Sequence, residues 1–380
     1  MIMMVKLDDV VDRVTGNVDR FNTDREYYVG GEHYESSRIA IYNPGILKSE
    51  KGSTLGFKFH FPFQKGDVLF MARNPHLRKA GMAMFDGICS DASYVLRTKD
   101  ENVLLQNYLA LIVQCDRFWD FFEANKSGSV NYLMNWKELK NYEFDLPPVE
   151  TQQEIAALAW SIEKTRIAYE KLLKATDELV KSQFIEMFDS YPKERFGDFC
   201  TTHARIGWQK LTRAEFLDEG DYYLVTGWDI MPDHTVAFEQ CKYVTKERYE
   251  QDTKLILCKG DVLLTKDGTL GKVAIIGDMD KPATLNGHIF VIRPKDERVI
   301  PEFLLGLFIS DDFVNQLDSN KTGSTIKGIT QKALLEFEIP VAPVDMQKRF
   351  VEFMKQSDKS KFVVRKFSNR NLWRCLVIRL

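Results

Sequence analysis

The sequence predicts an α+β protein made of two similar mixed α/β domains, each followed by a long helix. Three observations lead there. The first is an internal repeat. Lys126-Ser127-Gly128-Ser129 through Pro148-Val149-Glu150-Thr151-Gln152 recurs, without a gap, as Lys321-Thr322-Gly323-Ser324 through Pro343-Val344-Asp345-Met346-Gln347, 195 residues later. Tyr108, Leu109 and Phe118 meet Phe303, Leu304 and Phe313 at the same offset, and Lys65-Gly66-Asp67-Val68-Leu69 meets Lys259-Gly260-Asp261-Val262-Leu263 one residue out of step. Solenoid units run about 20–50 residues, so a period this long marks a duplicated domain.

The second observation is the texture of each half. Short apolar runs follow Gly66-Asp67 and Gly260-Asp261, and a further run, Val273-Ala274-Ile275-Ile276, follows Gly268-Thr269-Leu270-Gly271-Lys272. Apolar runs around a Gly-rich turn predict paired strands. Residues 108–123 and 301–317 read as helices, the second opening on a proline at the position helices tolerate.

The third is residues 151–188, which hold no Gly or Pro and carry apolar residues at Ile155, Leu158, Ile162, Tyr169, Leu172 and Leu179, with a drifting second set at Leu173, Val180, Phe184 and Phe188. Alternating spacings of three and four predict a helix seeking a helical partner, about 57 Å long at 1.5 Å per residue. Pro192 ends it. A second such helix should begin after Pro343 with Met346, Phe350 and Phe353, its periodicity weakening past Ser357. The expected organisation is residues 1–148 as the first domain, 149–190 as the first long helix, 191–343 as the second domain and 344–380 as the second helix, atypical or truncated at its end.

Composition narrows the function. The 380 residues are 44% hydrophobic and 28% charged, ordinary for a globular protein. No apolar stretch reaches the ~18–20 residues of a membrane span, no secretory signal is evident, and the six cysteines form no Cys-x-x-Cys pair. The expected location is cytoplasmic. The net charge of −3 hides a gradient, because residues 355–380 carry eight basic side chains against one acid. Nucleic-acid contact elsewhere would have to come from local basic loops.

Catalytic motifs are scarce: no phosphate loop, His-Glu-x-x-His, nucleophile elbow or dinucleotide fingerprint is present. The loops suit phosphates and base edges better. Arg73, Asn74, Arg78 and Lys79 crowd one segment directly after a strand. Its counterpart supplies Lys266, Thr269 and Lys272 with two glycines, and the repeated turn adds Lys126 and Ser127 in one half, Lys321 and Thr322 in the other. Lys and Arg neutralise phosphates, while Arg and Asn read purine edges bidentately. These eleven residues are the candidate DNA contacts; no catalytic or metal-binding residue is assigned.

Leu146-Pro147-Pro148-Val149-Glu150-Thr151-Gln152, its echo at Ile339 to Gln347, the Gly260 to Lys272 segment and Phe85-Asp86-Gly87-Ile88-Cys89-Ser90 together resemble the specificity subunit of type I restriction–modification systems. The resemblance spans nearly the whole chain. It implies two target-recognition domains, each reading half of a bipartite site in double-stranded DNA, separated by long antiparallel coiled-coil helices. It also implies a noncatalytic chain without cofactor or membrane association. Adenine methylation would come from modification (methyltransferase) subunits using S-adenosylmethionine, and cleavage from restriction (translocase/nuclease) subunits using ATP and magnesium. Residues 365–380 depart from the family pattern, reading as a basic and apolar tail. Two alternatives remain: a restriction nuclease with its own metal-dependent site around Asp261, Lys266 and Asp267, and a scaffold in which only the helices matter.

Overall fold

The structure, a computed structural model, describes residues 3–36, 38–47, 55–127, 132–205, 207, 211–323 and 328–368. The chain forms two compact units. One runs to Glu170 and includes the end of the C-terminal helix from Lys366; the other is Lys171–Arg365.

In the first unit a five-stranded sheet has the order Val11–Val14, Ser93–Thr98, Val68–Met71, Ala80–Ala83, Ala40–Ile41. A four-stranded sheet has the order Gly45–Ile46, Tyr27–Val29, Gly87–Ser90, Phe59–Phe63. The apolar run after Gly66-Asp67 is explained by burial on both faces. Side chains alternate along a strand, so Val68 and Phe70 enter the core shared with the helices, while Leu69 enters a second core with Val29, Phe63 and Cys89. The second unit repeats this arrangement. Val262 and Leu264 face the helical core and Leu263 faces a core with Val225 and Leu285. Val262–Thr265 pairs antiparallel with Val273–Ile275, the hairpin expected around the Gly-rich turn, and with Ile289–Pro294.

An ion pair on a buried aspartate locks the same strand in both units. Arg97 Nε and Nη2 donate to the two carboxylate oxygens of Asp67 at 2.8 and 2.9 Å, and Arg293 grips Asp261 in the same bidentate manner at 2.7 and 2.7 Å. Each aspartate also closes the turn that starts the strand, accepting from Gln64 N at 2.8 Å or Cys258 N at 2.9 Å. The glycine before it sits at φ 96° (Gly66) or 89° (Gly260), a region that favours glycine.

Each expected helix after the sheets is two helices. Gln106–Ile112 and Asp116–Asn125 are separated by residues 113–115, and Pro301–Ile309 and Asp311–Ser319 by Ser310. Ser310 is extended and its hydroxyl accepts from Phe313 N, so it caps the second helix. The apolar pattern runs through both breaks because both helices face the same core.

The long helix is Val149–Phe188. The two apolar sets of this helix are not buried alike. Within the second unit Val180, Phe184 and Phe188, the drifting set, are buried, while Leu172 and Leu179 are about half exposed, at 51% and 52%. Phe184 and Phe188 pack edge-to-face against Phe350 with ring centroids 5.3 and 5.4 Å away, and Asp177 pairs with Lys361 at 2.6 Å. The partner positions descend from 361 to 350 as the helix ascends from 177 to 188, which makes the packing antiparallel. The partner helix is Val344–Ser368, so regular helix continues past Ser357, where the periodicity weakens. Most of the atypical tail, residues 369–380, lies outside the described residues.

Each long helix is tied to its own unit by one glutamine. Gln152 is fully buried; its Oε1 accepts from Leu105 N at 2.9 Å and its Nε2 donates to Val103 O at 2.8 Å and Pro147 O at 2.9 Å. Gln347 repeats all three bonds, with Ile300 N at 3.1 Å, Arg298 O at 2.7 Å and Ala342 O at 2.8 Å. In the first unit a second tie is Arg38, which reaches Glu163 at 3.1 Å and Glu170 at 2.5 Å. Burial pushes the Glu163 carboxyl up and Arg38 beside it pulls it back. Replacing Gln152 or Gln347 by Leu would strand one N–H and two carbonyls. The expected loss is at least about 2 kcal/mol from the affected half, read as a lower urea midpoint for that half alone. An unchanged midpoint would dismiss the amide as the tie.

Candidate nucleic-acid interface

The candidate residues gather at one end of the strand that starts with Gly-Asp in each unit, together with a turn that the sequence did not single out. In the first unit Arg73 forms a backbone bridge with Leu133, which in turn pairs with Ser127. In the second, Asp267 bridges Gly328, which pairs with Thr322. The basic loop and the Lys-Ser/Thr-Gly hairpin are therefore joined in both. The hydroxyls of Ser127 and Thr322 donate within their own hairpins, to Leu133 O at 3.1 Å and Gly328 O at 3.4 Å. Lys126 lies 4.0 Å over the Tyr132 ring and pairs with Glu123 at 2.5 Å, and Lys321 pairs with Asp318 at 2.5 Å. Gly128, Ser129 and Ser324 of the repeated turn lie outside the described residues.

The loops after the strands share a backbone course. Asn74 and Arg78 have φ of 56° and 44°, and Gly268 and Gly271 occupy the corresponding places at 67° and 92°. Two non-glycine residues in the left-handed region carry strain of order 1 kcal/mol each. Arg78 pairs with Asp116. Arg73 is half-buried, and its Nε has no hydrogen-bond partner among the described residues. Lys266 sits 5.6 Å from the centre of the Phe290 ring, and Thr269 is exposed, its carbonyl accepting from Thr265 Oγ1 at 2.5 Å.

Lys79 and Lys272 turn their ammonium groups inward. Lys79 Nζ donates to Gly31 O at 2.6 Å; Lys272 Nζ donates to Gly227 O at 2.8 Å and reaches Ile230 O at 3.4 Å. Both lysines hold a turn that leaves an equivalent strand, Tyr27–Val29 or Tyr222–Val225. Each turn is closed by a side chain three residues on: Gly30 N donates to His33 Nδ1 at 2.8 Å, and Thr226 N to Asp229 Oδ2 at 2.7 Å. A Cβ on Gly31 would stand 3.0 Å from Met71 Cε, and one on Gly227 3.4 Å from Thr265 Cγ2, so both turns lie against the end of the same strand. Sequence reasoning missed these turns. The available signal was a strand-like run ending in Val29-Gly30-Gly31 and in Val225-Thr226-Gly227.

The carboxylates that a nuclease reading would recruit have other uses. Both oxygens of Asp261 are engaged by Arg293, and Asp267 pairs with His288. Among the described residues no group of three or more His, Cys, Asp or Glu is placed to hold a metal ion, and no helix is long and apolar enough to cross a membrane.

Arg78→Gly separates strain from binding. The substitution should relieve a left-handed arginine and lose only an exposed ion pair worth about 0–1 kcal/mol. The expected outcome is an unchanged or slightly raised melting temperature together with weaker DNA binding. A clear fall in stability would show that the arginine holds the loop.

The sequence belongs with proteins of known type. A family model described as Type I restriction modification DNA specificity domain matches residues 2–176 and 193–366, once per half. The MjaVIII type I restriction enzyme specificity subunit of Methanocaldococcus jannaschii is 22% identical over 267 residues, covering 65% of this chain and 62% of that protein. The matched stretch thus spans about three fifths of that relative's length. A solved chain from a study of complex assembly and conformational transition of the type I R-M system is 17% identical, with a TM-score of 0.59 over 99% of this chain and 96% of that one. A type I restriction-modification S subunit from M. genitalium is 12% identical, with a TM-score of 0.53 over 100% of this chain and 95% of that one. At these identities the two structures speak for the fold. With the family model covering both halves, the chain belongs to the type I restriction modification DNA specificity family.

Proposed function

We propose that this chain is a noncatalytic DNA sequence-specificity subunit whose two units each read one half of a bipartite site and direct adenine methylation and cleavage by partner subunits. The observation that carries this reading is the duplicated loop apparatus. A strand end, a clamped turn and a joined hairpin recur with the same backbone contacts, while the exposed side chains differ between the units. A fixed frame with differing tips is what two related readers of different base sequences require, since backbone contacts position a protein on DNA and side chains specify the bases.

Within this reading Arg73, Arg78, Lys126, Lys266 and Lys321 contact DNA, and Lys79 and Lys272 position the turns. Asn74 and Ser127 in the first unit, and Thr269 and Thr322 in the second, add further contacts within their own units. The partners are double-stranded DNA, modification subunits and restriction subunits. The chain itself takes no cofactor; S-adenosylmethionine, ATP and magnesium belong to the partners. Support for a partner subunit comes from the long helix, where Leu158, Leu172, Leu179 and Ile185 are 45–52% exposed. These side chains are candidates for burial in a complex.

Exchanging residues 1–145 for the matching domain of a relative, in a complex with modification subunits, should change one half of the methylated site and leave the other. Simultaneous change of both halves would sink the two-reader assignment. Alanine at Lys126 or Lys266 should weaken binding on every sequence and reduce the salt slope by about one counterion. An unchanged slope removes that lysine from the phosphate backbone.

A further inference from the structure

We propose that Trp228 is a base-contacting, specificity-determining residue of the second unit; the assignment rests on the DNA-reading function above. Trp228 is 86% exposed, the most exposed of the large hydrophobic side chains among the described residues. Its neighbours in sequence are buried or half-buried, so the exposure belongs to one side chain on an otherwise packed turn.

The turn is built to hold the backbone of that residue in one place. Asp229 is buried and its Oδ2 accepts from both Thr226 N at 2.7 Å and Thr226 Oγ1 at 2.9 Å, while Trp228 N donates to Thr226 Oγ1 at 3.3 Å. Asp229 O accepts from Ala237 N at 2.9 Å, fixing the exit of the turn. Lys272 pins the carbonyls on either side, Gly227 O and Ile230 O. A turn braced at its entry, centre and exit fixes the base of an indole that has been left in water. Fixing the backbone that carries an aromatic ring limits the ordering cost of binding.

The surroundings say what the ring meets. Lys272 belongs to the Gly-rich loop that also carries Lys266 and Thr269, and Gly227 lies against that loop, where an added Cβ would be 3.5 Å from Thr269 Oγ1. The turn that carries the ring therefore stands beside the candidate phosphate contacts of its own unit. An indole neutralises no phosphate; it offers an apolar face and one N–H donor. Beside a duplex its favourable contacts are base faces, a thymine methyl or a base step into which it wedges. The equivalent place in the first unit is taken by Glu32, between Gly31 held by Lys79 and His33 closing the turn, with its side chain 64% exposed. A carboxylate accepts from the cytosine amino group. Two chemically opposed side chains on the same clamped turn fit positions that read different bases.

The test uses the full chain assembled with its modification subunits, comparing Trp228→Ala and Trp228→Phe with the wild type. Binding is measured on cognate and unrelated duplexes across a salt series, and methylated sites are mapped by sequencing. Trp228→Ala should lose roughly tenfold to a hundredfold of cognate affinity, leave binding to unrelated DNA and the salt slope unchanged, and relax the methylated sequence in one half-site. Trp228→Phe should keep most of the affinity. Trp228→Ala binding and methylating as the wild type does would overturn the assignment while leaving the specificity function standing. Loss of assembly with the modification subunits would overturn it in favour of a protein contact. A wild-type complex without sequence-selective binding would overturn the function and this assignment together.

Discussion

Much of this structure depends on two buried side-chain amides. A helix of forty residues is a long lever, and its direction is set within its first turns. At Gln152 and Gln347 the carboxamide satisfies a backbone N–H and two carbonyls from separate segments of its own unit. A hydrophobic side chain could fill the same space, but it would leave polar backbone groups unpaired at about 1–3 kcal/mol each. An amide is directional where apolar packing is not. Slippage or rotation of the helix start would break three bonds at once. The repeat therefore keeps Gln at this point while most neighbouring positions differ: Glu150 is answered by Asp345 and Thr151 by Met346.

The same logic sets the interface. Asp67–Arg97 and Asp261–Arg293 are half-hidden pairs whose aspartates are almost wholly buried. Removing one partner from such a pair is strongly destabilising, because a buried charge is left alone. Each pair fixes the start of a central strand, and the loop at the far end of that strand inherits its position. Lys79 and Lys272 extend the frame by one more step. Their ammonium groups are placed on turn carbonyls.

How much was legible follows from these contacts. The repeat, the paired strands and the long helix were readable because they rest on local patterns: turns requiring glycine, apolar runs buried on both faces and a stretch without Gly or Pro. The helix breaks at residues 113–115 and Ser310 were not, because both helices of each pair face one core and the apolar pattern continues through the break. Which of the two apolar sets is buried in the second unit was not legible for a related reason. Leu172 and Leu179 carry the regular spacing, yet Phe184 and Phe188 meet Phe350 and so decide which face is buried. The turns at Gly31 and Gly227 stayed hidden because insertions shift their offset from that of the main repeat. Only the shared lysine clamp and the shared strand make them equivalent.

The two units also solve one backbone problem differently, and the difference bears on function. The second unit places Gly268 and Gly271 where the chain enters the left-handed region; the first places Asn74 and Arg78 there. Glycine would be the easier choice for folding, so a strained arginine needs a compensating use. Contact with a ligand is such a use, since the left-handed course aims a long cationic side chain from a tight loop. The same reasoning applies in reverse to Trp228, whose ring contributes little to folding yet sits on a turn braced by Asp229 and Lys272. Because the frame is held by side chains elsewhere, residues at the tips can change without undoing it. Glu32 and Trp228 can therefore differ completely on turns that are otherwise alike, and the fold can keep its stability while the chemistry presented at those tips changes.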